Sequence, residues 1–133
     1  MAVTDSTSGP EQVHTKVVRV AFDPNAPKDQ QFKFENYLAI DRRLTGQPGD
    51  VVMEGPGDII FTRSPATAEW TFVTAAVKTP GDQFKVRVPK SGTLLIVRDD
   101  HLENGTFPYL VFVQANGQYY TSPDPVIVNT DPV

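Results

Sequence analysis

The chain contains no cysteine, and this absence excludes several kinds of site at once. Disulfides, zinc–thiolate centres, iron–sulfur clusters and cysteine nucleophiles all need a thiol. The only histidines are His14 and His101. A blue-copper centre and a three-histidine zinc site are therefore excluded as well, although a site that combines both histidines with a carboxylate remains open. We predict a protein without a metal centre or a cofactor.

Long apolar runs and a dominant positive charge are also missing. No apolar run approaches the roughly 20 residues that span a bilayer, and residues 1–12 lack the basic start and apolar core of a secretory signal. The formal net charge is −4, with acidic and basic residues interspersed and no basic stripe. We therefore expect neither a nucleic acid nor a membrane as partner, and a cytoplasmic location.

What the chain does contain is typical of short strands. Its 133 residues are near the commonest size for one domain, and 12 prolines and 9 glycines separate the apolar runs. Residues 84–88 alternate between apolar and basic side chains, and Asn116-Gly117 is a strong hairpin signal. We predict a disordered tail over residues 1–12 and a single all-β sandwich over 13–133, immunoglobulin-like or cupredoxin-like in layout. Residues 35–43 are the only helix candidate.

Two apolar runs, residues 93–97 and 109–113, would be apolar on both faces of a strand. A sheet in a two-layer sandwich normally buries only one face, so both runs are predicted to be central strands of one sheet whose outward face is covered. A loop, residues 38–44 or a second subunit could supply the cover. A homo-oligomer or a protein partner is therefore expected, with these candidate interface residues: Leu95, Val97, Leu110 and Phe112.

A polar cluster lies between these two runs. It concentrates three carboxylates with one of the two histidines, and its members are Asp99, Asp100, His101 and Glu103. Oxygen-rich loops can bind a hard cation such as calcium, and a histidine beside carboxylates can serve in acid–base chemistry. The spacing matches no defined calcium loop, however, and the simplest interpretation is a solvated loop. No serine lies in a nucleophile elbow, so we predict no catalytic residue.

Four aromatic residues flank the two ends of the predicted hairpin: Phe107, Tyr109, Tyr119 and Tyr120. Cross-strand core packing is the usual role of such side chains. One or two exposed tyrosines could instead form a platform for a ligand or a partner.

The C-terminal residues 122–133 read SPDPVIVNTDPV. Each Asp-Pro pair marks a strand boundary, because proline lacks the amide proton, and the segment is predicted to be an edge strand. This ending resembles the DP-EP family, small bacterial proteins named for Asp-Pro and Glu-Pro pairs near the C-terminus. Here the pairs are Asp124-Pro125 and Asp131-Pro132, so an aspartate replaces the glutamate. The resemblance implies a bacterial β-sandwich and supplies no catalytic residues.

Two hypotheses of function follow. The first is a non-catalytic binding or assembly module that self-associates or docks a partner through an apolar sheet face. The alternative is a small-ligand or cation-binding protein, or an enzyme, with its site near Asp99, Asp100 and His101.

Overall fold

The computed structural model describes residues 14–36, 48–64, 69–79, 81–123 and 125–131. Apart from one turn of 3₁₀ helix at Lys28–Gln30, the regular structure in these ranges is β-strand. The strands are β1 (His14–Phe22), β2 (Phe32–Asn36), β3 (Val51–Met53), β4 (Gly57–Arg63), β5 (Thr71–Val77), β6 (Phe84–Arg87), β7 (Leu94–Asp99), β8 (Gly105–Ala115), β9 (Gln118–Thr121) and β10 (Val126–Asn129).

The strands form two mixed sheets. One sheet has the order β2-β1-β4-β7-β6, and the other has the order β3-β10-β8-β5, with β9 also paired to β8. Within each sheet one pair of strands is parallel, β1 with β4 and β3 with β10. The all-β sandwich predicted from the sequence is therefore confirmed.

The core lies between the two sheets. Alternate residues of each strand point into it, as the period of two in a pleated strand requires. Phe61 of β4 and Tyr109 of β8 are fully buried, and their ring centroids lie 5.4 Å apart across the sandwich. Trp70 is buried against Phe22 and Phe72. Each such side chain contributes about 1.5–3 kcal/mol when it is removed from water.

Both runs that are apolar on two faces are central strands. The first forms β7, between β4 and β6, and the second lies within β8, between β5 and β10. They belong to different sheets, so the molecule has two outward faces rather than the one expected. Leu95 and Val97 point into the core with 0% and 1% exposure, so of the four candidate interface residues only Leu110 and Phe112 lie on an outward face.

The predicted hairpin is confirmed. Asn116 and Gly117 join β8 to β9 with φ angles of 53° and 75°, the positive values that a type I′ turn needs. The first two residues of the helix candidate, Glu35 and Asn36, belong to β2. The remainder of that candidate, the predicted tail and the whole of the proposed covering segment, residues 38–44, lie outside the described residues.

The C-terminal strand is not at an edge, so this prediction was wrong. Strand β10 pairs with β3 on one side and with β8 on the other. Proline at position 125 precedes the strand and so removes no hydrogen bond from either ladder.

Candidate functional site

The predicted polar cluster begins where β7 ends. Strand alternation directs Asp99 inward, where its side chain is 0% exposed, and Asp100 outward. Asp100 forms ion pairs with Lys85 and with Arg98, whose Nε lies 3.3 Å from Asp100 Oδ1. The hydrogen bond from Lys85 is the main reason why the pKa of Asp100 lies below its usual value. The two neighbouring carboxylates therefore belong to opposite sides of one sheet.

Asp99 is the buried member of the cluster. Its Oδ1 accepts hydrogen bonds from the backbone N–H of His101 at 2.8 Å and from Asn129 Nδ2 at 3.1 Å. Its Oδ2 is buried without a partner. Burial raises the pKa of Asp99, and the hydrogen bonds from Asn129 and His101 oppose that rise.

His101 ties the β7–β8 loop to β3. Its Nε2 lies 2.9 Å from the carbonyl oxygen of Met53. A carbonyl only accepts hydrogen bonds, so Nε2 must carry the proton that it donates. The residue has a φ of 56°, a left-handed value that is uncommon for a side-chain-bearing residue. Glu103 follows two residues later, and its side chain is exposed.

Two members of this network, Gln83 and Asn129, were not predicted from the sequence to be site residues. Gln83 is 3% exposed, and its Oε1 accepts from the backbone N–H groups of Leu102 and Glu103 at 3.1 and 3.4 Å. Its own carbonyl accepts from the N–H of Asp100. No pattern marks Gln83 in the sequence, whereas Asn129 stands in the C-terminal segment that carries the family resemblance.

The beginning of β10 has a second polar anchor. Asp50 Oδ1 accepts from the backbone N–H of Val126 at 2.9 Å, and Pro125 accepts from the N–H of Tyr109 at 2.9 Å. The Tyr109 hydroxyl donates to the carbonyl of Gly49 at 2.5 Å, and burial raises the pKa of that hydroxyl well above its usual value. Buried polar side chains thus hold β10 at both ends.

This geometry gives the four predicted site residues different roles. Asp99 is buried, Asp100 is held in outward ion pairs, His101 is bonded to β3, and Glu103 faces solvent. Within the described ranges no three acidic or histidine side chains come together in a way that could hold a metal ion. The network holds the β7–β8 loop against β3 and β10. It leaves two buried oxygens without partners, Asp99 Oδ2 and Asn129 Oδ1.

The two sheets differ in charge. Each strand of the sheet β2-β1-β4-β7-β6 carries at least one acidic or basic residue, whereas the strands β3, β5, β8, β9 and β10 carry none. We refer to these as the charged sheet and the uncharged sheet. Charged side chains on the outward face of the charged sheet are Arg19, Lys33, Glu35, Asp58, Lys85, Arg87 and Arg98.

The outward face of the uncharged sheet is apolar at its centre. Leu110 and Phe112 of β8 lie there half-buried, and Ala76 of β5 pairs with Leu110. Val126 and Val128 of β10 extend the same surface and are also half-buried. We call these five residues the apolar face.

Exposed residues with apolar surface lie at the margin of this face. Val73 is 38% exposed at the bulge in β5, and Tyr119 of β9 is 69% exposed. Of the four aromatics that flank the hairpin, Phe107 and Tyr109 are buried, and Tyr120 packs against the core. Tyr119 is therefore the one that the structure leaves open to solvent.

These features define an all-β sandwich with a polar-anchored C-terminal strand and one uncharged sheet. The sequence matches the DP-EP family over residues 12–131, which includes every described strand, and the chain belongs to that family. No curated protein matches it. Among the described residues, no helix is long and apolar enough to cross a membrane.

Proposed function

We propose that this protein is a non-catalytic assembly module that self-associates through the apolar face. The observation that carries the proposal is the complete absence of acidic and basic residues from the uncharged sheet, although the chain as a whole has a net charge of −4. Depletion of charge at the centre of a patch is a compositional mark of protein interfaces.

A second copy of the chain is the partner that the charges favour. Two molecules of the same net negative charge repel each other across most orientations. Contact through the two apolar faces avoids this repulsion between strands, because the strands of the uncharged sheet carry no charged residue. The centre of the face consists of Leu, Phe, Val and Ala side chains on a pleated sheet. Such surfaces stack face to face at about 10 Å in β-sandwiches.

The size of the face indicates a weak association. Four strand positions with about six residues each measure roughly 19 by 20 Å, or about 800 Å² for two copies together. Interfaces of this size belong to the small and transient class. We therefore expect a dimer whose population depends on protein concentration, with a dissociation constant of about 1 μM or higher.

Light scattering coupled to size-exclusion chromatography tests this proposal over a concentration series. Wild-type protein should shift from monomer toward dimer as its concentration rises. Phe112→Asp places a charge at the centre of the apolar face and should weaken association at least about 30-fold. Ile96→Asp is the matched control, because Ile96 is half-buried on the outward face of the charged sheet. A wild type that stays monomeric at every concentration, or equal loss of dimer in both variants, contradicts the proposal.

A ligand-binding protein or an enzyme with a site near Asp99, Asp100 and His101 is the second candidate. The unpartnered, buried Oδ2 of Asp99 favours it, because such an oxygen has hydrogen-bonding capacity to spare. A small polar ligand that binds there would raise Tm by mass action. A thermal-shift screen against metabolites would detect that rise, and His101→Ala should abolish it; a screen without any response in wild-type protein counts against this candidate.

A further inference from the structure

Two buried oxygens of one hydrogen-bonded pair lack partners, and their arrangement suggests what fills the gap. Asn129 Nδ2 donates to Asp99 Oδ1 at 3.1 Å, while Asp99 Oδ2 and Asn129 Oδ1 are both buried and unbonded. Both residues are almost completely buried, with 0% and 2% exposure. Two buried acceptors that face no donor destabilise the fold. A proton bound to Asp99 Oδ2 would turn that oxygen into a donor.

The orientation of the Asn129 amide is fixed by its surroundings. Three acceptors lie around Nδ2: Asp99 Oδ1 at 3.1 Å, Gln83 Oε1 at 3.3 Å and the Glu103 carbonyl at 3.4 Å. A flipped amide would direct its oxygen at these three oxygens, so the nitrogen must face them. Asn129 Oδ1 is consequently left as an acceptor that needs a donor.

We propose that Asp99 binds a proton on Oδ2 and donates it to Asn129 Oδ1, so that an acid–amide pair latches the end of β7 to the C-terminal strand. The pair then has two hydrogen bonds in opposite directions. Asn129 Nδ2–H donates to Asp99 Oδ1, and Asp99 Oδ2–H donates to Asn129 Oδ1. Loss of the proton removes the second bond and leaves a buried charge. The latch is therefore closed at mildly acidic pH and weakens as pH rises.

The groups around Asp99 set the pH at which its carboxyl group releases its proton. Burial raises its pKa, and the carboxylate of Asp100 acts in the same direction. The hydrogen bonds from Asn129 and from the His101 backbone, together with a positive charge on His101, lower it. Lys85 and Arg98 are engaged by Asp100 on the outward side. Gln83, which precedes β6, and Asn129 on β10 are neutral, and β3 contributes only the Met53 carbonyl, through His101. Burial is the dominant influence.

The sign of the pH dependence follows from this direction. The pKa of Asp99 is higher in the folded chain than in the unfolded chain, where it is about 3.9. Between the two values the folded state binds more protons, so stability falls as pH rises through that window. The destabilisation is complete above the folded pKa and absent below the unfolded one.

Asp99→Asn tests the latch, because an asparagine there mimics the protonated acid at every pH. Its Tm should exceed that of the wild type near neutral pH by about 2 °C or more, and the difference should shrink toward about pH 4. In the wild type, the ¹³C resonance of the Asp99 carboxyl carbon should titrate above the ordinary aspartate value. That measurement does not depend on whether the variant folds well.

Asp100→Asn is the matched control with the opposite signature. Ion pairs lower the pKa of Asp100, so its contribution to stability is present at neutral pH and is lost as pH falls through its folded pKa. This variant should therefore be less stable than the wild type at neutral pH and equal to it in acid. The latch is disproved if Asp99 titrates at or below the ordinary value, or if Asp99→Asn shows no pH-dependent difference. Stabilisation of the wild type alone by millimolar Na⁺ or Ca²⁺ also disproves it, because a cation would then fill the gap.

Discussion

The outward faces of the two sheets are built on similar apolar strands but differ in what surrounds them. On the charged sheet, Ile60 and Ile96 lie in one cross-strand row that ends at Arg87 on the edge strand. On the uncharged sheet, Leu110 and Phe112 have neighbours such as Ala76 and Thr121. Charged side chains keep the first face hydrated. The described strands of the uncharged sheet carry no charged side chain, and Lys78 borders them only beyond the end of β5, which is why we assign the association to this sheet.

The largest effect is expected from substitutions at two neighbouring residues that point to opposite sides of β8. Val111 and Phe112 are neighbours on β8, but Val111 is 0% exposed in the core. Val111→Asp would bury an unpaired carboxylate, at a cost of several kcal/mol, in a domain whose total stability is of the order of 5–15 kcal/mol. It should unfold the chain, whereas Phe112→Asp should fold and remain monomeric. Circular dichroism of both variants decides this; a folded Val111→Asp protein contradicts the assigned orientation of β8.

The next effect concerns salt. Attraction between charged faces weakens when the Debye length falls from about 10 Å at 0.1 M salt to about 3 Å at 1 M. Association through the uncharged sheet should therefore not weaken over that range, and screening of the net negative charge should strengthen it slightly. Sedimentation equilibrium at both salt concentrations measures the change. A dimer that dissociates at 1 M NaCl would indicate that the charged sheet forms the interface.

The smallest effect is expected on the charged sheet itself. Arg98 Nη1 lies 3.9 Å from Asp58 Oδ1, and Arg98 Nε lies 3.3 Å from Asp100 Oδ1. These partly exposed pairs contribute less than about 1 kcal/mol, so Arg98→Ala should lower the free energy of unfolding by no more than that. Urea denaturation tests the value, and dimer formation should be unchanged. A loss of several kcal/mol would mean that Arg98 packs as part of the core.

The sequence predicted some elements well for local reasons. The Asn116-Gly117 turn depends on two residues that tolerate positive φ, so its prediction needs no distant contact. The runs that became β7 and the centre of β8 were identified as central strands from their apolar character alone. Their assignment to a common sheet failed, because strand pairing joins residues far apart in sequence. Leu95 consequently proved to be a core residue and Phe112 a surface one.

The candidate site shows the same limit. The sequence identified Asp99 and His101 as members of a polar cluster but did not separate the buried Asp99 from its outward neighbour Asp100. It also gave no reason to include Gln83 and Asn129 in the cluster. These two residues are 46 positions apart in the chain and meet only in the folded protein. Hydrogen bonds between loops that meet only in the folded chain create this network.

By itself, the amino-acid sequence determined the fold class, the turn at Asn116 and the family resemblance, because each depends on residue type and local spacing. Only the tertiary structure decided which uncharged strands lie side by side, which side of each strand faces water, and that Asp99 meets Asn129. Those outcomes depend on strand order and register, which are set by contacts across the whole chain.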